Sequence, residues 1–254
     1  MTMLVVKQIY GLTLRSCQGF IESQFKIMKL SSHVPNYSCV CRRQQTVVLP
    51  ALPQKKESIH LVVDSTGLKI FGEGEWKVRQ HGISKRRTWR KLHLAVDEST
   101  HEILMSVVTT NDFKDSQVFE DLIEPLEENI ERVSADGAYD TFKIHEYLKE
   151  KGIDSAIPPQ KNAKLKYPDQ GEASPLIRDR HLLEIEEMGR EEWKIAHQYH
   201  RRSLAETAMF RYKQIFGAQL KNRVFEHQAT EAFIRCVALN KMTWLGRPHS
   251  CQVF

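Results

Sequence analysis

The chain has 254 residues, 41% of them hydrophobic, with 37 Lys and Arg against 32 Asp and Glu and a formal net charge of +5. That length suffices for a substantial core, and the positive balance permits nucleic-acid binding without demanding it. No apolar run approaches the roughly 18 residues a membrane span requires, and five cysteines, an odd count with no CxxC pair and no signal peptide, point to a reducing cytoplasm.

Residues 1–30 read as helical, broken at Gly11, with apolar Leu4, Val5 and Ile9 followed by Phe20, Ile21, Phe25 and Met28. Pro35 and Asn36 can start another helix, NYSCVCRRQQTV, which carries Arg42 and Arg43. Residues 1–49 are therefore expected to be a small helical region, compatible with part of a helix-turn-helix DNA-binding domain and also with a packing or dimerisation role. PALPQKKE, residues 50–57, is the natural linker. Strands are then expected at 59–64, around 68–80, at 90–96 and at 103–109, followed by a helix at 115–128, a strand at 132–136, a helix at 141–151 and a strand at 153–157 stopped by Pro158 and Pro159. Strands first, then alternation of helix and strand, argue for an α/β fold with a mixed sheet flanked by helices. Gln160–His181, rich in Lys, Pro and Gly, reads as a loop inserted before the helix of Glu206, and residues 248–254 as a tail.

Charge is unevenly distributed. Trp76–Leu92 holds seven Lys and Arg and no acid, which makes Lys85, Arg86, Arg87 and Arg90 candidates for DNA contact. Trp76 and Trp89 bracket these cations and could stack on unpaired bases, although core packing explains either ring equally well. Asp115–Glu131 holds seven acids and no base, the pattern of a solvated helix face. The eleven histidines lack HExxH spacing, and His197 and His200 differ by three without a third partner, so they read as polar surface or satisfied core residues.

Three carboxylates stand out. Asp64 closes the apolar run Leu61, Val62, Val63 and is followed by Gly67, while Asp136 ends the strand-like run of IERVSADGAYD and precedes Gly137. Glu206 sits in a helical pattern in which Tyr199, Arg202 and Lys213 share its face at about 100° per residue, with Leu204, Ala208, Tyr212 and Ile215 opposite. Hard oxygen ligands from separate elements suit magnesium or manganese. Two such ions about 3.5 to 4 Å apart can clamp the attacking and leaving oxygens of a phosphodiester displacement. Arg202 and Lys213 would then contact phosphates, Arg by its planar fork and Lys as a point charge.

VVDSTGLKIFGEGEW, RRTWRKLHLAVDE, SADGAYD and HRRSLAETAMFRYKQIFG, with the spacing Y-x2-R-x3-E-x6-K from Tyr199 to Lys213, resemble DDE transposases of bacterial insertion sequences, specifically the insertion sequence five group. The resemblance covers most of residues 58–247 and implies a ribonuclease H-like catalytic domain there. It implies Asp64, Asp136 and Glu206 as a metal-binding catalytic triad, with Tyr199, Arg202 and Lys213 supporting it. Such an enzyme cuts the ends of its own mobile element and joins them to target DNA, as a dimer or higher oligomer on DNA in the bacterial cytoplasm and nucleoid. Family members usually carry several dozen more residues before the point corresponding to Met1, so the resemblance also implies an N-terminally short chain. The competing readings are a stand-alone nuclease of the same fold, and a truncated transposase that inhibits by occupying DNA.

Overall fold

The computed structural model describes residues 1–44, 58–70, 89–167 and 176–246. In chain order these residues form helices α1 (Thr2–Ile9), α2 (Leu14–Ile27), α3 (Tyr37–Arg43), α4 (Phe119–Ile123), α5 (Phe142–Lys151), α6 (Ile177–Met188), α7 (Arg190–Ala196), α8 (Ser203–Phe216) and α9 (Phe225–Leu245). The strands are β1 (Ile59–Ile70), β2 (Trp89–Asp97), β3 (Ile103–Thr110), β4 (Ile130–Ser134), β5 (Asp154–Ala156) and β6 (Gln219–Leu220). Two compact units divide them, one drawing on residues 1–44, 67–70, 89–90 and 211–246, the other on residues 58–66, 91–167 and 176–210. No helix among the described residues is long and apolar enough to cross a membrane.

The sheet has six strands in the order β3-β2-β1-β4-β5, with β6 paired to β1. A turn over residues 98–102 joins β2 to β3, closed by Asp97 N–H donating to the Glu102 carbonyl at 2.9 Å and His101 N–H to the Asp97 carbonyl at 2.8 Å. So short a link requires antiparallel strands, because a parallel pair needs a crossover of a dozen or more residues. The next two pairings are parallel, β1 with β4 and β4 with β5, and their crossovers carry α4 and α5. This is the α/β arrangement of a mixed sheet flanked by helices expected from the sequence. Leu61, Val62 and Val63 are all fully buried, the consecutive apolar run of a strand covered on both faces. Ile59, Leu61, Val63, Phe119, Leu122, Val133, Ile144 and Leu148 pack into the core of this unit.

Four departures from the sequence reading have local causes. Gly67 does not end a strand: β1 continues through it, because Leu68 and Ile70 resume the buried alternation, and residues 68–70 of the second strand expected near 68–80 are instead the end of β1. The remainder of that segment lies outside the described residues. The single helix expected at 115–128 is a 3-10 turn, then α4, then a second 3-10 segment Glu124–Asn129. Pro125 explains the break, since it has no N–H to continue an α-helical ladder. The loop expected to reach His181 stops earlier, because α6 begins at Ile177. Finally, the buried stripe of α8 is Ala205, Ala208, Met209, Tyr212 and Phe216, whereas Ile215 is exposed.

In the other unit α1 packs on α9, and α2 packs on both α1 and α3. Gly11, at φ +63°, makes the expected break after α1. Thr13 and Asn36 cap α2 and α3 by accepting from the Ser16 and Ser38 N–H groups. Buried Arg235 of α9 donates to Gln8 of α1 at 3.2 Å and to Glu231 at 2.5 Å, a buried polar tie between the two helices.

Candidate functional site

Register brings the two aspartates together. Val62 of β1 is paired with Ser134 of the parallel strand β4, so Asp64 and Asp136, each two residues further on, emerge at the same level of neighbouring strands. Asp64 is the sixth residue of β1 and its side chain is 15% exposed. Its Oδ1 accepts from the Ser65 N–H at 2.7 Å. Asp136 lies just beyond β4 and caps the 3-10 turn Gly137–Tyr139, accepting from the Ala138 N–H at 2.8 Å. Both carboxylates are thus fixed by backbone donors, Asp64 in the middle of β1 and Asp136 just past the end of β4.

Glu206 enters from the first turn of α8, where the positive end of the helix dipole favours an acid. Arg202 links it to the sheet: Nη2 donates to Glu206 Oε1 at 2.6 Å, while Nη1 stands 3.7 Å from Asp64 Oδ2. Tyr199 and Arg202 do not belong to the α-helix itself. They form a 3-10 segment, Tyr199–Arg202, which runs into α8 at Ser203, and the Arg202 guanidinium lies 5.6 Å from the centre of the Tyr199 ring.

The electrostatics show one shared field. Burial pushes the Asp64 carboxyl above the usual carboxylate range; the Ser65 N–H and Arg202 pull it back, and Asp136 and Glu206 push it up further. Burial likewise raises the Tyr199 phenol, opposed by Arg202 and reinforced by all three carboxylates. Desolvation works against the Arg202 charge, but Tyr199, Glu206, Asp64 and Asp136 outweigh it and raise its pKa. A set of three carboxylates, offering only oxygen donors, with one half-buried and repelled by the other two, suits a hard divalent cation. Arg202 supplies positive charge within that set here.

The other residues singled out from the sequence fall elsewhere. Lys213 is half-buried, about two turns along α8 from Glu206 and in the part of that helix belonging to the other unit. Arg90 is engaged rather than free: Nε donates to Gln228 Oε1 at 2.8 Å, and its guanidinium packs 5.4 Å from the centre of the Phe225 ring. Trp89 is 42% exposed at the start of β2. Lys85, Arg86, Arg87 and Trp76 lie outside the described residues.

A buried network beside the site has no counterpart in the sequence reading. Asp140, which follows the turn capped by Asp136, accepts from Arg178 Nε at 2.7 Å and from the Gln160 N–H at 2.8 Å, and its Oδ1 lies 3.1 Å from His145 Nε2. Burial alone would raise its pKa, but the hydrogen bonds from His145, Arg178 and Gln160 prevail and hold it at about 2. Between the networks, Tyr139 is buried with its hydroxyl unpartnered, and burial, Asp115, Asp64 and Asp136 all push its pKa up. SADGAYD, residues 134–140, contains both residues, and its only sequence signal for them is a second acid four residues after Asp136.

A family model described as Transposase DDE domain matches residues 55–241, and a second model with the same description matches residues 1–73. Among solved structures, the cryo-EM structure of the piggyBac transposase synaptic complex with hairpin DNA is similar at a TM-score of 0.41 and 11% identity. The similarity covers 74% of this chain and 48% of that one, so the present chain spans about half the length of that relative.

Proposed function

The chain belongs to the transposase DDE domain family, and on that premise we propose that it catalyses metal-dependent cleavage of insertion-sequence ends and their transfer into target DNA. The observation that carries the reading is that Arg202 faces both Asp64 of β1 and Glu206 of α8, while Asp136 follows the neighbouring parallel strand at the level of Asp64. These three carboxylates would hold two magnesium or manganese ions. When bound, such a pair polarises the scissile phosphate and activates the attacking oxygen, first of water and then of a freed 3′ hydroxyl.

The chain's own residues supply placement and charge. The Ser65 and Ala138 N–H groups fix the two aspartates, so that they need little reorganisation on binding a cation. Arg202, already flanked by Asp64 and Glu206, would turn its remaining donors to a phosphate oxygen, and Tyr199 would hold its guanidinium in plane. Lys213 would add a point charge to the DNA backbone. DNA would be the partner, with a homodimer or higher oligomer bringing two element ends together on it. An insertion-sequence transposase would act on the nucleoid in the bacterial cytoplasm.

The test is cleavage of labelled element-end DNA with magnesium, followed by a strand-transfer assay on the same protein. Nicking and joining together support the proposal. Hydrolysis without joining marks a nuclease, and DNA binding without either marks an inhibitor.

A further inference from the structure

His181 and Glu184 lie one turn apart on α6, and His197 caps the end of α7. Gly189, at φ +87°, turns the chain between these helices and folds α7 back on α6. One ligand atom from each of the three residues lies within 4.8 Å of the other two. His197 Nε2 is 2.7 Å from Glu184 Oε2, and the same oxygen accepts from Trp193 Nε1 at 3.1 Å. His181 is 1% exposed, and its Nδ1 has no hydrogen-bond partner. An orphaned buried nitrogen costs free energy and asks for an explanation, of which an ion is one.

We propose that His181, Glu184 and His197 form a zinc-binding site separate from the three carboxylates. Two imidazoles and one carboxylate are the donor set of a borderline ion, with a fourth position left for water. Magnesium prefers all-oxygen, octahedral surroundings, so the cluster discriminates against the ion proposed for Asp64, Asp136 and Glu206. Zinc would take the His197 nitrogen that faces Glu184, leaving the one proton of the neutral ring on Nδ1. Arg132 Nη2, now 3.4 Å from that Nδ1, keeps its 3.0 Å bond to the His197 carbonyl and its ion pair with Asp154.

The position gives the ion a structural purpose. Trp193 is fully buried, with its ring centre 5.0 Å from that of His181, 4.8 Å from that of His197 and 6.2 Å from that of Tyr199. Gln198, at φ +52°, is the only residue between His197 and the 3-10 segment of Tyr199 and Arg202. Zinc would clasp α6 to the start of that segment. This inference stands on the cluster itself and does not depend on the reaction proposed above.

The experiment uses the full chain carrying Asp64→Asn and Asp136→Asn, which silences the other carboxylate set, stripped with chelator and titrated with zinc against a chromogenic competitor. Cobalt substitution reports ligand geometry by its visible absorption. One equivalent of zinc with a tetrahedral cobalt spectrum is expected, and Glu184→Gln or His197→Gln should each weaken binding by at least about tenfold. Glu187→Gln, on the same helix, should bind as the parent does. Circular dichroism of each variant shows that it is folded. Absence of stoichiometric uptake by the parent, or undiminished uptake by both Glu184→Gln and His197→Gln, overturns the proposal.

Discussion

Arg202 stands 3.7 Å from Asp64 on β1 while its other terminal nitrogen is bonded to Glu206, four residues ahead in the chain. A planar fork can face two carboxylates at once; a lysine ammonium is a single point. Arg202→Lys is therefore expected to slow nicking by at least about tenfold while leaving DNA affinity largely unchanged. Single-turnover cleavage of labelled ends measures this, and a normal rate would show that the pair is only structural.

Asp64, Asp136 and Glu206 are expected to act as a unit. Alanine at any one should abolish nicking and joining in magnesium, yet leave DNA retention in a gel-shift assay, because phosphate contacts by Lys and Arg dominate affinity. Substantial joining by Asp136→Ala would remove Asp136 from the assignment.

The raised pKa of Asp64 has a stability consequence whose sign is fixed. Burial makes its ionised form the costly one, so its contribution is most favourable below the unfolded value of about 4 and is lost as pH rises through the higher folded value. Asp64→Asn should then melt higher than the wild type at neutral pH, with the gap closing in acid. Magnesium should lift the melting temperature of the wild type more than that of Asp64→Asn. Scanning fluorimetry at two pH values, with and without magnesium, checks all three statements.

Asp140 has the opposite sign. Held at about 2 by His145 and Arg178 against burial, it adds stability above the unfolded carboxylate range, and that stability is lost as pH falls through about 2. The shift corresponds to about 2 kcal/mol at neutral pH. Arg178→Met, which leaves the buried carboxylate short of a partner, should cost about 3 kcal/mol in urea unfolding at pH 7. A variant as stable as the wild type would refute the account.

The parts legible in the sequence are those written in local pattern. Leu61–Val63, Leu92–Val96 and the Pro158–Pro159 stop announce strands because consecutive burial and chain termination act on neighbouring residues. The three acids stand out for a related reason, each beside an apolar run or on a helical face, although Asp64 sits in the middle of β1 rather than at the strand end its run suggests. α6 was read partly as loop because Arg178, Asp179 and His181 are buried although polar, and their partners Asp140, Lys166 and Trp193 are distant in sequence. Periodicity counts apolar residues and cannot see such pairs. The same blindness hid His181 from His197, which meet only because Gly189 turns the chain. Tyr199 lies in a 3-10 segment rather than in the α-helix its spacing suggests, since 3-10 and α geometry diverge little over one turn.

The parallel pairing of β1 with β4 also dictates timing. A ribosome adds Asp64 well before residues 130–134, the strand that places Asp136 beside it, and adds Glu206 later still. Throughout that interval one edge of β1 has no neighbour, and closing it requires a long loop rather than a hairpin. The carboxylates consequently meet only after α8 has been made, and a nascent chain halted before α8 holds the two aspartates without the glutamate.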